Sequence, residues 1–180
     1  MTAIQTSDII FRLSEPTSPG NANAQGTLTA SYGGYLATTA PSSTTNQLFP
    51  GTTTINETTY RCVFVENNTA SGNTYTGGGV YLIGGYHSAG GTVSIGVDPT
   101  AASPIGSATA QAVTSATSGT VAPSGVTFSS PTTASTALAL GDIPPGYCKA
   151  IWIRRTTPGT LPSPQFTETI NLGISGSSAA

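Results

Sequence analysis

The residues able to do chemistry in this 180-residue chain are few and scattered. His87 is the only histidine, and it lies in the Gly/Ser stretch 84–91 with no cysteine or carboxylate at a local metal-ligand spacing. It therefore reads as a solvated loop residue and not as a base or a ligand. A Ser-His-Asp triad is assembled in space from residues distant in the chain, so an abundance of serines around one histidine does not point to one. No G-x-S-x-G elbow occurs. Gly77-Gly78-Gly79 opens a strand-like segment instead of leading from a strand into a helix, which reads as a bulge or a close backbone approach and not as a phosphate cradle. The carboxylates Asp8, Glu15, Glu57, Glu66, Asp98, Asp142 and Glu168 are dispersed. Asp98 before Pro99 and Asp142 after Gly141 read as turn residues bonding nearby backbone amides. No catalytic residue, cofactor or metal site is assigned.

Cys62 and Cys148 permit one intrachain disulfide. The N-terminal MTAIQTSDII has no basic stretch followed by a long apolar run, so no export signal is read and two reduced, half-buried thiols are expected. An immunoglobulin-type bridge fits poorly, because Trp152 follows Cys148 instead of lying between the cysteines. Asn56-Glu57-Thr58 and Asn67-Asn68-Thr69 match the glycosylation pattern, which chance supplies readily in so Thr-rich a chain. Tyr75, Tyr81 and Tyr86 are the candidates for an aromatic row that would bind carbohydrate, although Tyr81 sits in an expected strand and reads as a packing residue.

The arginines are more telling. Arg61 lies in YRCVFVEN (60–67), and Arg154 and Arg155 lie in YCKAIWIRRTT (147–157), two dense β-type segments that also hold both cysteines and the only tryptophan. A guanidinium beside an apolar strand either pairs within the fold or projects to take a partner's carboxylate bidentately. Because side chains alternate along a strand, Arg154 and Arg155 point to opposite faces, and at least one is expected to face outwards. Arg61, Trp152, Arg154 and Arg155 are accordingly the candidate partner interface. In the first segment Tyr60, Cys62 and Phe64 share one face and Arg61, Val63 and Val65 the other; in the second, Ile151 and Ile153 oppose Ala150 and Trp152. A plain sandwich strand shows one face to water. Two apolar faces imply a covered outside, by the chain's own long loops or by another subunit.

The elements that would position these residues are short strands. Asp8–Leu13, Leu28–Tyr32, a piece around Leu48, Tyr60–Val65, Val80–Ile83, Thr92–Val97, Gln111–Thr114, Val126–Ser129, 147–155 and Phe166–Ile174 read as extended. The segments Val80–Ile83 and Thr92–Val97 read as a hairpin. Asn67–Asn73 and Asp142-Ile143-Pro144-Pro145-Gly146 read as turns, and Ala134–Leu140 as one helical turn or a strand approach. Many short strands with Gly/Pro turns and no long helical period predict an all-β fold, an antiparallel β-sandwich or jelly roll with long loops, in a single domain over 1–180.

Charged residues make up 7% of the chain, against about 25% in ordinary soluble proteins. The net charge of -2 and five basic residues argue against a nucleic-acid partner, which needs clustered cations. No apolar run approaches the ~20 residues that span a bilayer, so no membrane partner is expected. Low charge without high net charge favours a folded chain, and a surface this neutral suits a subunit that is covered by neighbours.

DIIFRLS, TTYRCVFVEN, VYLIGG, TVSIGVDP, PSGVTFSSPTT, LGDIPPGYCKAIWIRRTTPG and FTETINLGI, spread from Asp8 to Ile174, together resemble small virion structural proteins of tailed bacteriophages. What the resemblance implies is a non-enzymatic β-sandwich on the particle, foremost a capsid decoration, or cement, protein. Such subunits bind the outer shell formed by the major capsid protein, often as trimers, and brace it. A tail, neck, baseplate or fibre-associated subunit is the alternative, and a carbohydrate-binding sandwich a further one.

Overall fold

A computed structural model describes residues 3–15, 33, 35–36, 49, 54–86, 91–105, 119–160 and 169–179. The β-branched and aromatic run at 58–67 forms β3 (Thr58–Asn67), and the similar run at 147–156 forms β8 (Tyr147–Thr156). The two pair antiparallel along nearly their whole length, from Thr58↔Thr156 to Glu66↔Cys148. Around them stand β1 (Ile9–Glu15), β2 (Tyr35–Leu36), β5 (Thr92–Val97) and β6 (Ser103–Pro104). They form one sheet in the order β2-β1-β3-β8-β5, with β6 also on β8. β4 (Thr74–Tyr86), β7 (Leu138–Ile143) and β9 (Thr169–Ala179) form a second sheet in the order β7-β4-β9. Every strand pair among the described residues is antiparallel. Among the described residues there is no α-helix, only 3-10 turns at Thr6–Asp8 and Ala134–Thr136.

The sheets face each other as a β-sandwich. Val63, Val65, Ile151, Ile153, Val93 and Ile95 of the large sheet pack with Tyr75, Val80, Leu82, Leu140 and Ile143 of the small one, as sheet-on-sheet packing requires. A second cluster lies on the opposite face of the large sheet: Leu36, Cys62, Phe64, Cys148, Ala150 and Trp152, with Tyr60, Val126 and Phe128 against it. Here the cover comes from the chain itself. Val126 and Phe128 of the segment 119–131 pack on this face, and the segment is tied to both sheets: the Tyr60 amide donates to the Gly119 carbonyl (2.6 Å), Ile95 and Ser129 exchange both backbone bonds (2.8 and 2.9 Å), and the Leu82 amide of the small sheet donates to the Pro131 carbonyl (2.8 Å). A Cβ on Gly96 would stand 2.4 Å from Val126 Cγ1 and 2.7 Å from the Thr127 carbonyl oxygen, so glycine lets the cover lie directly on β5.

Several elements differ from expectation. Val80–Ile83 and Thr92–Val97 do not form a hairpin. Both carry an apolar face, and the fold sets those faces against each other across the core, in different sheets, instead of side by side. Val126–Ser129 makes one bridge and no strand, because it serves as cover. The stretch 134–140 holds both a 3-10 turn and the start of β7. The Gly77-Gly78-Gly79 run is a bulge, with register shifts on both sides of β4. β9 continues to Ala179 through the Gly/Ser tail, and Gly176 is needed there, since a Cβ would meet the Tyr75 ring at 2.5 Å. Leu28–Tyr32, Leu48, Gln111–Thr114 and 166–168 lie outside the described residues.

Candidate functional site

The β3–β8 register places Thr59 opposite Arg155, Tyr60 opposite Arg154 and Arg61 opposite Ile153. Three guanidiniums therefore gather at one end of the central strand pair. Alternation divides them: Arg61 and Arg155 share the inner face with Val63 and Ile153, while Arg154 stands with Tyr60 on the outer face. On the inner side Arg61 Cζ lies 5.3 Å and Arg155 Cζ 4.8 Å from the centroid of the Phe49 ring. One aromatic ring thus serves two cations. The Arg61 Nη1 also donates to the Tyr60 carbonyl at 2.8 Å. Both side chains are inside the fold, with Arg61 at 5% and Arg155 at 3% exposure.

Arg154 is held differently. Its Cζ sits 4.9 Å over the Phe128 ring, its Nε donates to Ser94 Oγ at 2.8 Å, and Phe128 in turn tilts against Tyr60 at 5.6 Å. Of the four residues expected at a partner interface, Arg154 alone is half-buried. Trp152 is 1% exposed, and its indole Nε1 donates to Asp98 Oδ2 at 2.8 Å. A shared contact surface of all four is corrected by this burial: Arg61 and Arg155 face the sandwich interior, Trp152 lies beneath the chain's own cover, and Arg154 remains.

The other reactive groups are committed to structure. Asp98 uses Oδ1 for the Thr100 amide (2.9 Å), which is the expected turn bond, and its other oxygen for the indole. Asp142 accepts from the Gly77 amide (3.1 Å), Asp8 from the Gln5 amide (2.8 Å), and Glu66 from Arg12 Nε (3.0 Å). Lys149 donates to the Thr100 carbonyl; burial lowers its pKa, opposed by the Asp98 charge. Cys62 and Cys148 are free and buried. Cys62 stands opposite Trp152 and Cys148 opposite Glu66, four rungs apart. That is about 13 Å along the strands, far beyond the ~7 Å a disulfide can bridge. Burial, aided by the Asp98 charge, raises Cys62 well above the ordinary thiol range; burial and then Glu66 push Cys148 up to about 12. Both are thiols and not thiolates at neutral pH, unfit as nucleophiles or metal ligands.

Among the described residues no three His, Cys, Asp or Glu side chains group as metal ligands, and no helix is long and apolar enough to cross a membrane. His87, Glu168 and the side chain of Tyr86 lie outside the described residues. Tyr75 is buried with its hydroxyl donating to the Ser175 carbonyl, and Tyr81 packs across Gly173, so these two do not form an exposed row. Asn67 is fully buried, and its amide donates to the Asn73 and Ile143 carbonyls at 3.0 and 2.9 Å, which removes it as a glycan acceptor in the fold.

Phe49, Phe128 and Asp98 as partners of the arginines and the tryptophan were not evident from sequence. Alternation in Val126–Ser129 puts Val126 and Phe128 on one face and signals a packing role; nothing local to Asp98 or Phe49 signals theirs. Compared with known families, curated proteins and solved structures, the chain matches none.

Proposed function

We propose that this chain is a non-enzymatic virion structural protein, a capsid decoration protein that binds the outer shell built by the major capsid protein of a tailed bacteriophage and braces it. The observation that supports this reading is where the few charges go. Arg12 with Glu66, Arg61 and Arg155 on Phe49, and Asp98 under Trp152 all serve the fold. The described surface is left largely to small neutral residues. Such a surface docks by shape and buried area more than by ion pairing, as extensive contacts between neighbouring subunits do. Arg154 adds one positioned cation: its Nε donates to Ser94 and its Cζ lies over the Phe128 ring, which lowers the entropy cost of presenting its terminal nitrogens to a carboxylate of the shell. The likeness of the strand sequences to small phage virion proteins supplies the kind of particle. In this reading the subunit assembles onto the capsid in the host cytoplasm, uses no cofactor and takes no nucleic acid. It stabilises the shell because it binds the assembled form and not the dissociated one.

The test is addition of purified protein to capsids that lack it. Saturable, stoichiometric binding with greater resistance of the shell to heat or chelator is expected, and Arg154→Ala is expected to weaken binding. Absence of binding to mature shells, with tail assembly depending on the protein instead, would overturn the proposal.

A further inference from the structure

The sheet edges of this sandwich are not equally protected. An edge strand exposes unpaired backbone donors and acceptors, and proteins blunt it by shortness, charge, proline, bulges or cover. β2 is two residues long. β6 is equally short and ends in Pro104. β5 has its free side occupied by Ser129 through the two-way bridge with Ile95. β7 carries Asp142, meets β4 through register shifts around Gly78, and runs into Pro144-Pro145. Among the described residues β9 is neither short nor paired on its second side, and its register shifts against β4 leave the middle of the strand regular. It is 11 residues long, with no charged residue and no proline. Among the described residues it pairs with β4 alone. Its central part is regular, from Gly79↔Ser175 to Leu82↔Leu172, with the register shifts displaced to either side.

The pattern on β9 also selects the occupant. Ile170, Leu172 and Ile174 turn to the sandwich core, and Asn171, Gly173 and Ser175 turn outwards. A two-fold antiparallel pairing centred on Gly173 sets Leu172 beside Ile174 of the partner subunit and Asn171 beside Ser175 of the partner subunit. At these central rungs apolar meets apolar and polar meets polar, on the correct faces, and no like charges oppose each other because the strand has none. We infer that β9 is a self-pairing edge through which two copies of this chain join, the three-stranded sheet of one continuing into that of the other. The contact is isologous and closes at two copies. It makes a dimer, in place of a trimer, the oligomer expected in solution, and it holds whether or not the protein binds capsids.

The experiment uses the full chain in sedimentation or light scattering across a concentration series, with hydrogen exchange of the β9 amides read in parallel. A monomer–dimer equilibrium is expected, with β9 exchange slowing as dimer forms. Asn171→Lys with Ser175→Lys sets like charges across the two-fold and is expected to raise the dimer dissociation constant by about tenfold or more. The matching Asn171→Glu with Ser175→Glu chain is expected to behave alike alone and to form a mixed dimer with the lysine chain. Should the Ser175 change disturb the fold by thermal unfolding, Asn171→Lys alone, at an exposed position, sets a single charge against Ser175 of the partner subunit and is expected to weaken the dimer in the same direction by a smaller factor. A monomer at every concentration, a trimer, or a dimer indifferent to these charges would overturn the inference.

Discussion

On the inner face of β3 and β8, Val63, Val65, Ile151 and Ile153 meet a second sheet; on the outer face, Cys62, Phe64, Ala150 and Trp152 meet the irregular segment 119–131. Both faces are buried, but the two covers satisfy their backbones differently. A sheet pairs its own amides and carbonyls, so it needs only side-chain fit to close a core. An irregular segment must find partners for its backbone elsewhere, and here it finds them at Tyr60, Ile95 and Leu82, strands of both sheets. The outer core therefore depends on a few polar fasteners as well as on area, and the indole–carboxylate bond of Trp152 to Asp98 lies among them.

The comparison can be broken most severely at Trp152. Trp152→Ala should cost about 3–5 kcal/mol, by loss of a fully buried ring and of the partner of a buried carboxylate. Denaturant unfolding measures it, and a cost below that of an inner-face Ile151→Ala would show the outer core to be subsidiary. A smaller and more local effect is expected from Gly96→Val. Its side chain would collide with Val126 and the Thr127 carbonyl, at about 1–3 kcal/mol of overpacking. Hydrogen exchange should then accelerate at Ile95 and Ser129 but not in β4, which distinguishes detachment of the cover from general loosening.

The arginines sharpen the same contrast at lower amplitude. Arg154→Ala, on a half-exposed stack, should cost about 1 kcal/mol or less, whereas Arg155→Ala, inside the sandwich, should lower the melting temperature more; equal losses would place both in the core. The thiols should give no signal near neutrality. Native Cys62 and Cys148 should resist alkylation at neutral pH and react only after unfolding. The sign of their pH effect follows from the raised values. Cys148, ordinarily near 9.0 and here about 12, contributes fully to stability below about pH 9 and loses that contribution as pH rises towards 12, so alkaline unfolding should coincide with thiol exposure.

The strands rich in β-branched residues were legible because their alternation is local: β1, β3, β5 and β8 fall within a few residues of their expected bounds. The two-faced apolar character of β3 and β8 also correctly implied a covered outer side. What alternation does not carry is which strand lies beside which. Val80–Ile83 and Thr92–Val97 look like a hairpin because they are neighbours in sequence, and only the competing needs of two apolar faces separate them. The same limit applies to the arginines. Their division between faces follows from parity, but whether each face is inside depends on Phe49 and Phe128, residues whose roles are set by long-range contacts.

The β3–β8 pairing bears on how the chain comes into being. β3 ends at Asn67 and β8 begins at Tyr147, so at about 5–20 residues per second the ribosome leaves β3 without its main neighbour for several seconds. During that interval β3 has only β1 as a paired neighbour, although β4 is already made and can cover its inner face. The outer face of β3 is thus the apolar surface left open longest during synthesis, until residues 119–131 and then β8 follow.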